Sequence, residues 1–342
     1  MKIDFRSDTV TLPTSAMKEA MLNAIVGDDV YGEDITVSEL EQKTAEQFGH
    51  EAGLFCPSGT MTNQIAIKVH TNPPGQVICH YLSHVYQYEV GGIAFNSGLS
   101  VSLIHGNRGM LSAEDVRKRV NDRMDVHKPL TQLVCLENTS NKGGGCCYDL
   151  ETIAEIRKVC DEHDLGLHLD GARVFNSLVA KGYTAKELGQ YFDSISVCFS
   201  KGLGAPVGSV LVGSKEFIHK AKWIRKLFGG GMRQAGYLAA AGVYALEHHV
   251  ERLAEDHRRA KILAEALEKQ AYVKSILPVE TNIIIFELAD TVDNKLFSER
   301  LYEKGIVANP YESTAIRFVV HLDIDDAKLA KAIEILEGLS FD

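Results

Sequence analysis

The chain has 342 residues, a mass of 37.6 kDa and a formal net charge of -10 at pH 7. Hydrophobic residues make up 45% and charged residues 24% of it, as in ordinary globular proteins, which argues against disorder, collagen and low complexity. At about 150 residues per domain, the length predicts two domains. The excess of acidic over basic residues, 46 against 36, argues against nucleic acid as a main partner.

Seven cysteines are scattered along the chain without a CxxC motif, most of them within apolar runs. This pattern predicts reduced thiols in the core of a cytoplasmic protein. The adjacent Cys146 and Cys147 cannot supply a tetrahedral zinc site by themselves, so we expect no metal. The first ten residues mix charges and lack the apolar core of a signal peptide, and no run of about 20 apolar residues occurs. We therefore expect a cytoplasmic protein without a membrane partner.

From about residue 50, the chain alternates short apolar runs with segments of helical spacing. The runs that predict strands are at residues 76–79, 99–103, 133–136, 165–169, 195–199 and 209–212. They are apolar on both faces, which is typical of a parallel sheet covered by helices. Residues 149–163 predict a crossover helix with Asp149 as its N-cap. The predicted fold is α/β, with a large domain on a mostly parallel sheet.

A smaller α+β domain is predicted at the C-terminal end. An amphipathic segment at residues 250–267 is followed by strand-like runs at 281–288 and 315–322, a helix near 294–304 between them, and a last helix. We place the boundary near residue 250, which gives a large domain at 1–249 and a small one at 250–342. The N-terminal segment is a candidate for packing at a subunit interface.

Two apolar runs of the predicted sheet end in polar residues that suit catalysis. Asp170 follows one run and Lys201 follows the next, about one βαβ step later. Because ligands collect at the carboxyl ends of the strands in open α/β sheets, both side chains can face one pocket. A lysine there can bond an aldehyde, and an aspartate can keep a pyridine nitrogen protonated. The alternatives are an N-cap for Asp170 and a surface charge for Lys201.

Residues 57–63 predict a helix N-terminus that can cradle a phosphate. Gly59 permits close approach of the backbone, and Ser58 or Thr60 can cap the helix. The alternative is a capped helix that binds no ligand.

Two further glycine clusters allow more than one interpretation. Glycines 229–231 with Arg233 form either a loop that closes on a phosphate or a hinge. The segment 201–208 has the spacing G-x-G-x-x-x-G, comes late in the chain and contains Pro206. A dinucleotide fingerprint is G-x-G-x-x-G near the first strand, so a dehydrogenase is a weak alternative.

The chain resembles the low-specificity L-threonine aldolases in eight segments, which follow the same order over nearly its whole length. The segments are RSDTVT at 6–11, GDDVYGED at 27–34, SGTMTN at 58–63, LENT at 136–139, HLDGARVFN at 168–176, SKGLGAPVGS at 200–209, GGGMRQ at 229–234 and VVHLD at 319–323. The resemblance implies a fold-type-I enzyme that uses pyridoxal phosphate to split L-threonine or L-allo-threonine into glycine and acetaldehyde. It also implies a homotetramer whose sites are shared between subunits.

Matching these segments to the family's motifs implies which residues hold the cofactor. Lys201 would bond its aldehyde, Asp170 its pyridine nitrogen and Arg173 its ring hydroxyl, while His84 would stack on the ring. The remaining implied contacts are Gly59, Thr60, Ser200, Lys226 and Arg233, of which the last two would reach a phosphate across a subunit interface.

The substrate is implied to bind beside the cofactor. Ser7 and Arg317, with Arg173, match the groups that grip its carboxylate. Arg317 also interrupts an apolar run, and its planar guanidinium can bind a carboxylate through two parallel hydrogen bonds. The alternative is an arginine on the wet face of a strand. A base with a pKa near the working pH favours histidine, so His84 and His127 are the candidates, directly or through water.

Two other activities stay open from the sequence. One is a beta-eliminating lyase or aminotransferase that also uses pyridoxal phosphate, and the other is a protein that binds this cofactor without turnover. Ser140 stands where many family members have a histidine, and the GGGCC segment after it is unusual. If that loop borders the pocket, an aryl or longer 3-hydroxy amino acid becomes a candidate substrate.

Overall fold

The computed structural model describes residues 2–311 and 314–341, which form three sheets and the helices that cover them. The strands are β1 (Ile3–Asp4), β2 (Ala52–Cys56), β3 (Gly75–His80), β4 (Ser100–Ile104), β5 (Leu130–Glu137), β6 (Gly166–Gly171), β7 (Ser194–Cys198), β8 (Ser209–Gly213), β9 (Val273–Ile276), β10 (Ile283–Leu288), β11 (Ile306–Val307), β12 (Asn309–Pro310) and β13 (Ala315–Val319). The helices are α1 (Ser15–Leu22), α2 (Ile35–Phe48), α3 (Gly59–His70), α4 (His84–Gln87), α5 (Gly92–Ser97), α6 (Ala113–Arg119), α7 (Leu150–His163), α8 (Val174–Lys181), α9 (Ala185–Gly189), α10 (Lys215–Leu227), α11 (Gly236–His248), α12 (Leu253–Glu268), α13 (Asn294–Glu303) and α14 (Asp326–Glu337).

The large sheet has seven strands in the order β2-β8-β7-β6-β5-β3-β4. Neighbouring strands are parallel, except that β8 runs antiparallel to β2 and to β7. The predicted α/β class with a mostly parallel sheet is therefore confirmed. The six predicted strands are present as β3 to β8 with small shifts at their ends, and α7 begins after Asp149, whose side chain caps it.

The sequence pattern did not reveal β2. Its residues, AGLFC, begin with two small side chains, which weaken the signal for a strand. Packing requires a glycine at position 53, because a Cβ there would lie 2.6 Å from the carbonyl oxygen of Glu41 on α2. The glycine lets this helix approach the sheet closely.

Helices cover both faces of the large sheet and bury its strands. Every residue of β7 and β8 is buried. Leu54 packs with Ile65 of α3 on one face, whereas Phe55 packs with Leu40 of α2 and Phe175 of α8 on the other. Neighbouring strand residues enter different cores because their side chains point to opposite faces. This packing holds the carboxyl ends of β5, β6 and β7 at one edge.

The second unit is built on a four-stranded antiparallel sheet in the order β12-β13-β10-β9. Its predicted helices and strands are present as α12, β10, α13, β13 and α14. The aromatic rings of Phe286, Phe297 and Phe318 lie in its core. The division of the chain at residue 250 stays a prediction.

The N-terminal segment packs on this second unit, although the sequence placed it with the large domain. β1 pairs in parallel with β11. Phe5 stacks on Phe318 with 4.9 Å between the ring centroids, and Ile3 belongs to the same core. A strand of two residues is too short to produce a periodic signal in the sequence. This pairing leads the segment after β1 past the carboxyl edge of the large sheet.

All seven cysteines lie in the described part of the chain, and each is buried and free of a disulfide bond. Burial raises the pKa of the Cys146 thiol to about 11, so that it stays protonated at neutral pH. No helix in the described ranges combines the length and the hydrophobicity that a bilayer crossing requires.

Gly171, the last residue of β6, provides a test of how closely the sheet edge is packed. A Cβ at this position would lie 2.5 Å from the backbone oxygen of Ser196 on β7. We expect Gly171→Ala to push the two strands apart and to lower the free energy of unfolding by about 1–3 kcal/mol, as measured by urea denaturation. The control is Gly338→Ala, where the nearest atom to a Cβ is 3.4 Å away. Equal stability of both variants would contradict the close packing at Gly171.

Candidate active site

A cleft of about 370 Å³ opens at the carboxyl edge of the large sheet. The N-terminal segment, the loops after the strands of that edge and the β12–β13 region of the small unit form its walls. Five residues with predicted site roles line it, namely Ser7, His84, Arg173, Lys201 and Arg317. Ligands of open α/β sheets bind at this edge, which makes the cleft the candidate active site.

Asp170 does not line the cleft itself but is buried behind His84, at a position that we call the floor. Its side chain is buried, and one carboxylate oxygen lies within 4.8 Å of a ring nitrogen of His84, which lines the cleft together with Lys201. Asp170 ends β6 and Lys201 follows the neighbouring parallel strand β7. The structure therefore brings the amine and the carboxylate to one site, as their places after adjacent strands predict.

Neutral donors hold the Asp170 carboxylate. Oδ2 accepts a hydrogen bond from Nδ2 of Asn63 at 2.9 Å, and Oδ1 accepts one from the backbone N–H of Ala172 at 3.1 Å. Asn63 lies in the first turns of α3 and is buried. These contacts fix the plane of the carboxylate under the cleft.

Glu89 is a second buried carboxylate beside the floor. It accepts hydrogen bonds from Nδ2 of Asn63 at 2.9 Å and from Nε2 of Gln64 at 2.6 Å, and its Oε1 lies 3.0 Å from Nδ1 of His84. Burial alone would lower the pKa of His84, but the hydrogen bond to Glu89 and the nearby carboxylates outweigh it and raise the pKa. His84 is therefore a histidine that titrates above its ordinary range.

A third carboxylate, Glu137, ends β5 and is buried. It accepts hydrogen bonds from the backbone N–H of His84 at 2.7 Å and from that of Asn141 at 2.8 Å. Burial, together with the charge of Asp170, raises the pKa of Glu137. Its geometry makes it an anchor for the two loops that carry His84 and Asn141.

Arg173 is held by a buried ion pair with Asp8 of the N-terminal segment. Nε and Nη2 of the guanidinium contact the two oxygens of Asp8 at 2.7 Å each. Burial would raise the pKa of Asp8, but the charge of Arg173 holds it well below its usual range. Because Asp8 takes Nε and Nη2, the Nη1 group of Arg173 is the one left for a ligand in the cleft.

Arg317 enters the cleft from β13. Its Nη1 donates to Oδ1 of Asn141 at 2.8 Å and its Nη2 to the backbone oxygen of Arg6 at 3.0 Å. Burial, and next the charge of Arg173, lowers the pKa of Arg317. A half-buried guanidinium beside a second guanidinium favours an anionic ligand, which would relieve their repulsion.

Three residues of the cleft wall were not found by sequence reasoning. Asn141 orients Arg317, while the rings of Tyr88 and Tyr311 lie 5.9 and 4.6 Å from the Lys142 ammonium. Of the three, Tyr88 could have been suspected from the sequence, because it is an aromatic residue four positions after His84. Together, these rings give the cleft an aromatic mouth.

The predicted phosphate cradle lies at the N-terminus of α3. Ser58 is the N-cap, and its Oγ accepts a hydrogen bond from the backbone N–H of Met61. This cap does not use the N–H groups of Gly59 and Thr60, which lie in the first turn of the helix. A Cβ at Gly59 would meet no atom within 4 Å, which shows open space beside the helix end. Ser200, just before Lys201, lies with its Oγ 3.4 Å from the sulfur of Cys198.

Lys226 and Arg233 do not line the cleft of their own chain. Both are exposed, and the Arg233 guanidinium binds the Asp28 carboxylate at 2.9 Å. Their expected contact with a phosphate of another subunit stays a prediction.

His127 is not brought to the cleft of its own chain either. It lies on an exposed turn before β5, where its backbone and ring bond to Asp125. The cleft is at the other end of β5, because the strand runs from this turn to Glu137. The sequence places His127 in a loop but does not show at which edge of the sheet that loop lies.

Ser140 supports the loop behind Asn141 rather than the cleft wall. It is buried, its Oγ accepts from the backbone N–H of Gly143, and its backbone pairs with Cys146. The GGGCC segment is therefore a tight loop that holds Asn141 in place.

The ion pair between Asp8 and Arg173 can be tested by removing one charge. We expect Asp8→Asn to lower the free energy of unfolding by about 3–5 kcal/mol, because Arg173 would keep a buried charge without its partner. Chemical denaturation measures this loss. In the control, Asp4→Asn removes the carboxylate that pairs with the partly exposed Arg6, and we expect about 1 kcal/mol or less. A loss at Asp8 no larger than the control would refute the assigned role.

The amino-acid sequence of this chain is similar to those of a known protein family. A sequence-family profile described as Beta-eliminating lyase matches residues 4–291. A probable low-specificity L-threonine aldolase 2 of Arabidopsis thaliana is 42% identical over 98% of this chain and 97% of its own length. The low specificity L-threonine aldolase of Escherichia coli strain K12 is 41% identical over 96% of each chain.

Solved structures agree with the sequence relatives. A putative L-allo-threonine aldolase of Listeria monocytogenes superposes with a TM-score of 0.78 at 26% identity, covering 94% of this chain and 92% of that one. The threonine aldolase of Leishmania major gives a TM-score of 0.86 over 98% of both chains, and at 21% identity it supports the fold alone. The chain therefore belongs to the beta-eliminating lyase family and, within it, to the low-specificity L-threonine aldolases.

Proposed function

We propose that this protein is a lyase that uses pyridoxal phosphate to cleave L-threonine or L-allo-threonine, and also other L-3-hydroxy amino acids, to glycine and an aldehyde. The meeting of Lys201 and Asp170 at one cleft carries the proposal, because an amine and a carboxylate in this arrangement suit the two ends of one aromatic aldehyde. The names of the relatives support the reaction.

The residues around the cleft fit this cofactor. The open space at Gly59 leaves room for a phosphate at the N-terminus of α3, where the N–H groups and the helix dipole favour an anion. Asp170 offers a buried carboxylate whose hydrogen-bond partners are neutral. When bound, pyridoxal phosphate supplies an aldehyde for an amine and a ring that takes up an electron pair.

The chain's own groups bind and orient the substrate. Arg317 and Nη1 of Arg173 present two guanidiniums to its carboxylate, and the hydroxyl of Ser7 lies in the same cleft. Two cations held by Asn141 and Asp8 bind a carboxylate in a fixed orientation, because their own positions are fixed. We propose that this fixed carboxylate also fixes the direction of the substrate's Cα–Cβ bond, which is the bond to be cleaved.

His84 is suited to hold the proton of the β-hydroxyl group at Nε2. Its Nδ1 donates to the Glu89 carboxylate, which leaves Nε2 as the acceptor of the neutral ring. The raised pKa makes this nitrogen a better base than that of an ordinary histidine.

We further propose a cytoplasmic homotetramer in which Lys226 and Arg233 reach the site of a neighbouring subunit. Large apolar side chains are exposed beside these residues on α10, with Trp223 72% and Leu227 70% accessible. Neighbouring large apolar side chains that are mostly exposed are typical of a surface that another subunit covers. The seven free, buried cysteines are typical of a reducing compartment.

Product analysis tests the function. We expect the purified protein to release glycine and the matching aldehyde from L-threonine, L-allo-threonine or phenylserine, and Lys201→Ala to lose both this activity and the visible absorption of the cofactor bonded to the amine. Lys269→Ala, an exposed lysine at the end of α12, is the control and should behave as the wild type. A keto acid with ammonia would indicate a β-eliminating enzyme. Glycine from none of the three substrates would refute the proposal.

Arg317 should act on the substrate and not on the cofactor. We expect Arg317→Ala to raise KM for the amino acid about 10- to 100-fold, because hydrogen bonds between charged groups are lost, while the affinity for pyridoxal phosphate stays unchanged. Steady-state kinetics and a cofactor titration measure the two effects. Arg258→Ala, an exposed arginine of α12, serves as the control. An unchanged KM, or a loss of cofactor binding, would assign Arg317 another role.

A further inference from the structure

A row of polar side chains crosses the core of the large sheet beneath Asp170. Nε2 of His70 lies 2.7 Å from Oγ of Ser194, which lies 2.8 Å from Nδ1 of His168. Nε2 of His168 lies 3.1 Å from Oδ1 of Asn63, and Nδ2 of Asn63 lies 2.9 Å from Oδ2 of Asp170. The side chains of Asn63, His168 and Ser194 are buried. The row therefore runs through the interior to the active-site floor.

The two ends of the row lie at opposite edges of the sheet. His70, the last residue of α3, lines a second cleft of about 880 Å³ beside the starts of β6 and β7, and its ring stacks on Phe217. His168 and Asp170 are two residues apart on β6, so their side chains are on the same face of the sheet. This spacing lets Asn63 contact both of them from α3.

The direction of every hydrogen bond in the row follows from the number of protons available. Nδ2 of Asn63 donates to two carboxylates, so its Oδ1 must accept, and Nε2 of His168 must carry the proton. Nδ1 of the neutral His168 ring then accepts the single hydroxyl proton of Ser194. His70 must consequently donate to Ser194 through Nε2. All four hydrogen bonds thus point from His70 toward Asp170.

The neutral state that this reasoning requires agrees with the surroundings of both rings. Burial lowers the pKa of His168 to about 3 and that of His70 to about 4. Both imidazoles are therefore uncharged at neutral pH, with one donor and one acceptor nitrogen each.

We propose that His70, Ser194, His168 and Asn63 form a directional hydrogen-bond chain that positions the Asp170 carboxylate and stabilises its charge against the pyridine nitrogen of the cofactor. The inference rests on the proposed function, which assigns Asp170 to that nitrogen. Hydrogen bonds that point the same way polarise one another, so the amide proton that reaches Asp170 is a stronger donor than that of an isolated asparagine. Asp170 is buried near Glu89, and a buried carboxylate is costly unless it accepts hydrogen bonds such as these.

The four side chains act as positioning residues and do not conduct protons. The link through Asn63 is a side-chain amide, whose N–H and C=O are separate groups, so a proton that enters at the oxygen does not leave at the nitrogen without an unfavourable tautomer. The chain therefore affects how strongly Asp170 holds the cofactor and polarises its ring.

Ser194→Ala breaks the chain at its centre with the loss of one hydroxyl group. We expect a decrease in kcat of about 5- to 10-fold with KM unchanged, together with weaker binding of pyridoxal phosphate and a shifted visible absorption band. The matched control is Ser177→Ala, because Ser177 is equally buried but its Oγ donates to Val174 on α8, outside the chain. This control should lose similar stability and leave the kcat, cofactor affinity and absorption band of the wild type. Ser194→Thr, which keeps the hydroxyl, should restore them.

A measurement on the cofactor-free protein separates this inference from the proposed function. Nitrogen-15 NMR should show the His168 ring with its proton on Nε2 in the wild type and in Ser194→Ala, because Oδ1 of Asn63 accepts that proton in both. The Nδ1 resonance of His168 should shift in Ser194→Ala, because this nitrogen loses the hydrogen bond from Ser194. If Ser194→Ala does not fold, His70→Phe keeps the stacking on Phe217 and removes the first donor, and it should shift the same readouts in the same direction.

A proton on Nδ1 of His168 in the wild type would overturn the inference. So would a Ser194→Ala or His70→Phe variant with the kcat, cofactor affinity and spectrum of the wild type. A protein that forms no glycine but shows the Nε2 tautomer and the expected change in cofactor affinity would refute the aldolase activity and leave the hydrogen-bond chain in place.

Discussion

The active site depends on keeping three carboxylates, Asp170, Glu89 and Glu137, buried at one edge of the sheet. Burying a charge without partners is costly, and each of these groups accepts hydrogen bonds from amide N–H donors. The donors come from α3 and from the loops after β3 and β5, so satisfying the anions also fixes those segments. The positions of His84 and Asn141, and through Asn141 that of Arg317, follow from this requirement.

The cleft is lined by two guanidiniums, those of Arg173 and Arg317, whose positions depend on the small unit and the N-terminal segment. Asp8 holds Arg173, and Asn282 of the small unit donates to the Asp8 carboxylate. Arg317 comes from the small unit's own sheet. The cleft therefore combines a buried carboxylate at its floor with two guanidiniums in its lining, an arrangement suited to a ligand with a cationic ring nitrogen at one end and a carboxylate at the other.

Much of this could be predicted from the sequence, for identifiable reasons. Lys201 and Asp170 follow apolar runs, and ends of adjacent parallel strands meet in space. The roles of Asn63 and Glu89 were not predicted. Their contacts depend on how α3 and the segment after α4 pack against β6, and the local sequence pattern does not specify this packing. His84 and His127 were both candidates for the base in sequence, with His127 the weaker one, and the direction of β5 places His127 at the other edge of the sheet. The short β1 and the glycine-containing β2 had too little periodic signal to be detected.

The parallel pairing of β1 with β11 has a consequence for synthesis on the ribosome. Residues 3 and 4 leave the ribosome about 300 residues before their partners at 306 and 307. Asp8 likewise needs Arg173 and Asn282 before its charge can be buried. The large sheet can form before the small unit has been synthesised, but the cleft cannot close until β11 and β13 have emerged. Completion of the site is thus a late step in folding during synthesis.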